Sequence, residues 1–374
     1  MTAAVSVGII GCGSVMQHAY MPLLVNEIAR GHATAPKICD VRADRLAEVQ
    51  AAFPVSATTE DPSEIISDAS IDLVVVLTSM PEHGDLAEQA LAAGRHVLVE
   101  KPMSIDLEQA ARLVELDRQG PAHLLCAPHV LLSPDYQRMA RMMRDGLVGR
   151  PLLARARYGW NGPDWGQWFY GPGGGPLFDL GVYNVTTLTG LLGPCRSVTA
   201  MTTLTRPRRV VDGEEIEVRT DDTFQILLEL GGAGGGVLAT VTTAFGMQQY
   251  LSPAVEVYGL DGTLQMLGDD WAPDGLQLWQ NSVGAWQTYH SKSRYWPWTD
   301  GLFHMIDCIR TGRRPYTRPE HAYHVLEIMI KAMTAAATGS TQQIDSTFEP
   351  PEPMQAADCG PQHLIHDRVH EDAQ

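Results

Sequence analysis

From Val5 to Ala127 the chain alternates short apolar runs with amphipathic stretches, and this alternation restricts the fold more than any other feature. Strands are expected at Val5-Ser6-Val7-Gly8-Ile9-Ile10, at Ala35-Pro36-Lys37-Ile38-Cys39, near Val55, and over 71–77, 95–99 and 123–127. Helices are expected from the Gly11 to Met16 turn to about Arg30, from Arg42 to Phe53, after Asp61-Pro62-Ser63-Glu64, and from Asp106 to Gly120. Strands separated by helices are joined by crossovers and run parallel. The run from Ile71 to Leu77 is apolar almost throughout, as a strand buried on both faces must be. Proline near the first turn after Asp61 and the Asp106-x-x-Gln109 capping spacing mark two helix starts. The first half therefore predicts an α/β domain with a doubly wound parallel sheet.

In such a sheet, ligands lie outside the carboxyl ends of the strands, so the residues at those ends carry the chemistry. Gly11-Cys12-Gly13-Ser14-Val15-Met16 turns the first strand into a helix. Glycine lets backbone approach a pyrophosphate, and the helix N-terminus offers unpaired N–H groups, which makes Gly11, Gly13, Ser14 and Val15 candidate dinucleotide contacts of a Rossmann domain. Met16 stands where the fingerprint has its third glycine, so the strand before the turn and the helix after it carry the reading. Asp40 ends the second strand, where a carboxylate binds ribose hydroxyls and repels a 2′-phosphate, favouring NAD with NADP as the alternative. Arg42 could instead reach that phosphate or stack on adenine. Thr78 and Ser79 end the strand from Ile71 and are expected on the nicotinamide side; His83 either touches the site or is a capping or core histidine. The run Arg95-His96-Val97-Leu98-Val99 delivers Glu100, Lys101 and Pro102 at the same edge, which places the Lys101 ammonium beside the cofactor and the substrate.

Beyond Pro128 the pattern changes. Strand-like runs follow at Leu152 to Tyr158, Ser197 to Leu204, Thr223 to Leu230, Val237 to Phe245, Ala254 to Tyr258 and Thr263 to Leu267. The glycine tract from Gly231 to Gly236 and Asp261-Gly262 lie between such runs, as hairpin turns do. The expectation is an α+β C-terminal domain with a large, mainly antiparallel open sheet, carrying one helix from Pro176 to Gly190 and late helices at about Trp298 to Arg310 and Pro319 to Thr338. Thr317 and Glu320 have capping-box spacing for the last of these. His321 and His324 lack a carboxylate or cysteine to complete a metal site, and the tail histidines 363, 366 and 370 near Cys359 offer little support for one; no metal is expected. The domains are placed at 1–127 (dinucleotide binding), 128–345 (substrate binding and oligomerisation) and 346–374 (a tail rich in proline and acid).

Gly173-Gly174-Gly175-Pro176 leads into Leu177-Phe178-Asp179-Leu180-Gly181-Val182-Tyr183, which sets Asp179 and Tyr183 at i and i+4 on one helix face. Leu177, Leu180, Leu188 and Leu191 form a separate stripe to bury against the sheet. A tyrosine beside a lysine ammonium loses its proton more easily, and such a pair suits proton exchange with a hydroxyl while hydride moves to or from nicotinamide. The pieces Gly11-Cys12-Gly13, Thr78 with Pro81 and His83, Glu100-Lys101-Pro102, and Gly173-Gly174-Gly175 running into Asp179-Leu180-Gly181-Val182-Tyr183 together resemble the glucose-fructose oxidoreductase, inositol dehydrogenase and rhizopine-catabolism (Gfo/Idh/MocA) family, over Val5 to about Thr338. The resemblance implies an NAD(P)-dependent oxidoreductase acting on a sugar, glycoside or cyclitol. Tyr183, where many members carry histidine, is similar to the tyrosine branch and points to a pyranose or related polyol. Lys101, Tyr183 and Asp179 are then the catalytic candidates, with His129, Asn161, Trp165 and Trp168 added for substrate. The aromatic faces of the two tryptophans, beside amides and acids, suit a sugar ring. Two rivals stay open at this point: glycoside cleavage through transient oxidation at C3, and a non-enzymatic sensor of nucleotide or sugar.

A balance of 27 basic against 44 acidic residues, net −17, repels phosphate backbones and anionic lipids, which argues against nucleic acid or membrane partners. Six cysteines without paired spacing fit free thiols, and no apolar run approaches the roughly 18 residues of a membrane span, so a cytoplasmic location is expected. An open antiparallel sheet in the second domain needs cover for apolar residues on its bare face, and a homodimer or homotetramer is expected.

Overall fold

The computed structural model describes residues 3–231, 236–291 and 296–354. The chain forms two compact units: residues up to 129 together with 299–326, and residues 130–298 together with the chain from 327.

The first unit holds a six-stranded, all-parallel sheet built from β1 (Val7–Ile10), β2 (Lys37–Cys39), β3 (Ala57–Thr59), β4 (Leu73–Val76), β5 (His96–Val99) and β6 (Leu124–Cys126), in the order β3-β2-β1-β4-β5-β6. The strands alternate with α1 (Met21–Ala29), α2 (Ala43–Ala52), α3 (Ser63–Ile66), α4 (His83–Ala92) and α5 (Leu107–Gln119). β4 is buried along its whole length, in keeping with its unbroken apolar sequence. Its register sets Val76 beside Ile10 and Val99, so the ends of β1, β4 and β5 lie in one row. The strand order reverses between β1 and β4, and a crevice at that switch point is where a doubly wound sheet binds its ligand. α5 starts as expected: the Asp106 carboxylate accepts the Gln109 N–H at 2.7 Å, a cap of about 1 kcal/mol. The helix Gly301–Thr311 groups with this unit, packing near α1 and β5, although its chain position suggests the second domain.

The second unit is organised by a nine-stranded sheet. Its strands are β7 (Pro151–Gly159), β8 (Cys195–Thr203), β11 (Thr223–Leu230), β12 (Val237–Ala244), β13 (Val255–Gly259), β14 (Gly262–Asp269), β15 (Ala272–Gln280), β16 (Trp286–Tyr289) and β17 (Gln342–Gln343). Their order is β16-β15-β14-β13-β7-β12-β11-β8-β17, and only β7 with β12 runs parallel. A separate hairpin joins β9 (Arg208–Val211) to β10 (Glu214–Glu217). The glycine tract is a hairpin connection as expected, because Leu230 pairs with Val237 across it; residues 232–235 themselves lie outside the described residues. Ala154, Ala156, Val241, Ile226, Leu228, Val257, Leu264 and Leu278 alternate inward and are buried. Two helices are placed against these strands: α6 (Pro134–Arg144), which begins with Ser133 accepting the Tyr136 N–H, and α7 (Val182–Leu192). The strand-dominated reading of this half does not anticipate α6.

Three local expectations are corrected. Thr317 does not cap the last helix: its hydroxyl is buried without a hydrogen-bond partner, since the helix begins only at Pro319, whose ring occupies the first turn. The segment Leu177–Gly181 is a π-helical turn that passes into α7, so the first turn is wider than a regular α-helix. α7 is also not amphipathic; from Val182 to Gly190 it is buried on all sides, against β7, β12 and α6. The five described cysteines are all buried, and the tail from 355 lies outside the described residues. No described helix is long and apolar enough to cross a membrane.

The other face of the nine-stranded sheet presents Leu153 opposite Leu238, Leu227, Met201 and Trp286, all exposed. Burying a leucine of this kind gains roughly 1.5–3 kcal/mol. We therefore expect a homo-oligomer that covers this face, and light scattering at micromolar concentration checks it: a dimer or tetramer is the expected mass, and Leu227→Arg with Leu238→Arg should shift it to the monomer.

Candidate active site

The first unit gathers its candidates along the carboxyl edge of the sheet. Gly11 follows β1 with φ 99, and a Cβ there would lie 2.7 Å from the carbonyl carbon and oxygen of Leu77 and 2.9 Å from the Thr78 nitrogen. Only glycine lets the ends of β1 and β4 come this close. Around Gly13, by contrast, a Cβ would meet nothing within 4 Å, and Ser14 and Val15 are exposed as the chain enters its helix. The open backbone beside a helix N-terminus fits the approach of a pyrophosphate. Cys12 is buried in the turn, where desolvation first and Asp40 second push its thiol up to about 12, so it stays protonated and inert.

Asp40 is buried, and it braces that turn: Oδ2 accepts the Cys12 N–H at 2.8 Å and Oδ1 the Arg42 N–H at 2.9 Å. Each oxygen keeps a lone pair for a ribose hydroxyl. Arg42 points elsewhere, with its exposed guanidinium paired to Asp44. Thr78 and Ser79 are half-buried at the end of β4. His83 is an interior buttress: its ring nitrogens face the carbonyls of Pro102 at 2.8 Å and Thr78 at 3.1 Å, and burial lowers its pKa against the pull of those carbonyls. It thereby holds the residue after Lys101 to the end of β4. Glu100 is buried, accepts the Tyr20 hydroxyl at 2.8 Å and takes the Lys101 N–H at 3.1 Å. Lys101 is half-buried on the strand end so fixed. His129 is 1% exposed, has no hydrogen-bond partner on either ring nitrogen, and packs where Gly301 leaves room for its ring. Desolvation lowers its pKa to about 3, and it is a core side chain rather than one facing a ligand.

In the second unit the glycine segment is shaped by close backbone contact. A Cβ at Gly174 would sit 2.6 Å from the carbonyl oxygens of Trp168 and Phe169, and Gly173 and Gly175 have φ 80 and 90. Asp179 follows in the π-helical turn, half-buried, with its N–H bonded to the Gly175 carbonyl. Tyr183 opens α7, and Tyr158 of β7 meets it edge-on at 6.0 Å. Trp271 stacks on Tyr158 with ring centroids 6.4 Å apart. Burial first, then the charges of Asp179, Asp269 and Asp270, raise the Tyr158 phenol, so it remains protonated. Tyr158, a direct neighbour of Tyr183, and Trp271, which reaches it only through Tyr158, are not singled out by the sequence; Trp271 sits on the tight β14 to β15 turn, where no periodicity points to it.

The loop candidates stand in a second aromatic cluster. Trp165 is 50% exposed and packs against Trp160 and Phe169, while Trp168, 41% exposed, stacks on Phe169 at 3.6 Å. Asn161 is braced, its side-chain oxygen accepting from Arg206 at 2.6 Å and Gln248 at 3.1 Å. The tryptophan rings remain available to a ligand, whereas the Asn161 amide oxygen is largely committed.

Two family models match the chain: an oxidoreductase family with an NAD-binding Rossmann fold over residues 5–125, and the GFO/IDH/MocA C-terminal domain over residues 136–265. The chain belongs to the Gfo/Idh/MocA family. Its first unit is the NAD-binding Rossmann domain of that oxidoreductase family, and its second unit contains the family's C-terminal domain. Among curated Gfo/Idh/MocA relatives, a trans-1,2-dihydrobenzene-1,2-diol dehydrogenase of Macaca fuscata fuscata is 29% identical over 57% of this chain; the match covers 60% of that relative's length. D-apiose dehydrogenase of Paraburkholderia graminis is 24% identical over 90% of this chain and 89% of its own. The structure of a levoglucosan dehydrogenase in complex with NADH shares the fold at a TM-score of 0.80, with 20% identity over 92% of this chain and all of that one.

Proposed function

We propose that this Gfo/Idh/MocA protein is an NAD-dependent dehydrogenase moving a hydride between nicotinamide and a hydroxyl-bearing carbon of a sugar, glycoside or cyclitol. The observation that carries the reading is the row of strand ends at one sheet edge: the Gly11 turn, buried Asp40, Thr78 and the Glu100-Lys101 pair. Bound NAD supplies the hydride acceptor or donor. This chain's own residues then have the following roles. The Gly11 to Val15 backbone takes the pyrophosphate, and Asp40 takes the ribose hydroxyls. The Lys101 ammonium holds the reacting oxygen and favours its anionic form, while the Tyr183 phenol exchanges the proton. Asp179 orients the hydroxyl or the tyrosine. Tyr158 lies beside Tyr183 and Trp271 beside Tyr158, and together with Trp165 and Trp168 these rings suit the apolar face of a sugar. The relatives named as dehydrogenases of apiose, xylose and myo-inositol support this substrate class.

Titration with both cofactors tests the nucleotide half. NAD is expected to bind at least tenfold more tightly than NADP, about 1.4 kcal/mol, because Asp40 would face a 2′-phosphate. NADP binding tenfold more tightly would remove Asp40 from this role.

A further inference from the structure

The turn joining β14 to β15 carries Asp270, a carboxyl 1% exposed. Its Oδ2 accepts the Asn184 Nδ2–H at 2.9 Å and the Thr187 hydroxyl at 3.2 Å. Its Oδ1 is buried without a hydrogen-bond partner, and so is Oδ1 of Asn184. Two acceptors therefore lack donors on two side chains that already touch, which buried polar groups rarely tolerate. Reversing the Asn184 amide does not help, since its oxygen would then face Asp270 Oδ2. One proton resolves both: Asp270 Oδ1–H donates to Asn184 Oδ1, while the amide N–H keeps Oδ2.

We infer that Asp270 is protonated in the native protein and shares that proton with Asn184, making a neutral pair that ties the Tyr183 helix to the β14–β15 turn. Asn184 directly follows Tyr183. Trp271 directly follows Asp270 and stacks on Tyr158, whose edge meets Tyr183. Asp270 is thus a positioning residue for Tyr183, acting through Asn184. The groups around it agree. Asn184 and Thr187 face it from α7, and Asp269 adds negative charge from its own turn while accepting the Tyr250 hydroxyl at 2.6 Å. Tyr158 faces it from β7 as a neutral phenol, and Arg157 lies over the Tyr250 ring at 4.7 Å. Desolvation first, and Asp269 among the charges, raise the Asp270 pKa to about 7. A carboxyl raised in the folded state contributes stability that is fully present below its unfolded value near 3.8 and lost as pH rises through about 7.

The test is carboxyl-carbon NMR of the full chain labelled at aspartate. One resonance, absent in Asp270→Asn, is expected to titrate with its midpoint near 7; Asp135, also raised by burial, is identified by Asp135→Asn. An Asp270 carboxyl already ionised at about pH 5 overturns the inference, and should Asp270→Asn fail to fold, a wild-type spectrum with no aspartate still protonated there does the same. Where the variant folds, its Tm relative to wild type should rise from about pH 5 to about pH 8, since asparagine keeps a donor toward Asn184 at every pH. A Tm difference constant across that range also overturns it. A kinetic arm rests on the dehydrogenase reading: kcat of wild type relative to Asp270→Asn should fall from about pH 6 to 8, while Asp270→Ala is impaired throughout. The spectra decide the pair even if no substrate is turned over, so the two readings fail separately.

Discussion

Replacing Tyr183 with phenylalanine is expected to lower turnover by about 10² to 10⁴, the usual contribution of a positioned acid-base group, with the fold and NAD affinity intact. Tyr183 is buried at the start of α7 against Tyr158. Loss of one hydroxyl there leaves the ring packing in place, so a drop in kcat reports chemistry rather than unfolding. Lys101→Ala is expected to be impaired to a similar degree. The double variant should be little worse than either single one, because groups that act as a unit are not additive. Steady-state kinetics with a cofactor titration and a thermal melt on each variant check all three statements. A Tyr183→Phe protein within threefold of wild type on the best substrate, with chemistry limiting, would remove Tyr183 from the proton-transfer role.

Gly11→Ala is expected to have the second largest effect, and it acts on the cofactor. At φ 99 a side chain is strained, and its Cβ would meet backbone atoms of Leu77 and Thr78 at 2.7 to 2.9 Å, which no rotamer change relieves. Such backbone strain costs of order 1–3 kcal/mol, and the ends of β1 and β4 must also separate. We expect NAD affinity to fall at least tenfold, by about 1.4 kcal/mol, together with a lowered Tm. Gly13→Ala is the control: with nothing within 4 Å of its Cβ, it should leave Tm unchanged while still weakening cofactor binding. Calorimetric titration and thermal melts separate the two positions.

The first unit was the more legible part of the sequence, because each buried parallel strand is a continuous apolar run bounded by polar residues. β4 and β5 fall within the runs expected for them, and the helix Pro319–Thr338 has the expected bounds. β15 was hidden by Pro273, Asp274 and Gly275, which read as a turn; Gly275 has φ 96 and its N–H is held by the Asp135 carboxylate at 3.1 Å. The register also shifts between Met266 and Gly268 on β14, which breaks the alternation that marks a strand. α7 gave a misleading stripe because burial on all sides leaves no polar face to define it. Lys101, Asp179 and Tyr183 could be named from spacing and resemblance, whereas Tyr158 beside Tyr183, Trp271 on Tyr158 and Asp270 against Asn184 are brought together only by long-range strand pairing. His129, named as a substrate candidate after the sixth strand, packs into the core in the space left by Gly301.

The central claim is that a lysine and a tyrosine transfer a proton while NAD is reduced by a sugar-type hydroxyl. The most direct measurement is NADH formation by wild type, Lys101→Ala and Tyr183→Phe over a panel of aldoses, glycosides and cyclitols. The account predicts that wild type reduces NAD with at least one of these and that both variants, folded and still binding NAD, lose about 10²-fold or more of that rate. Reduction of NAD at equal rates by wild type and both variants would contradict it.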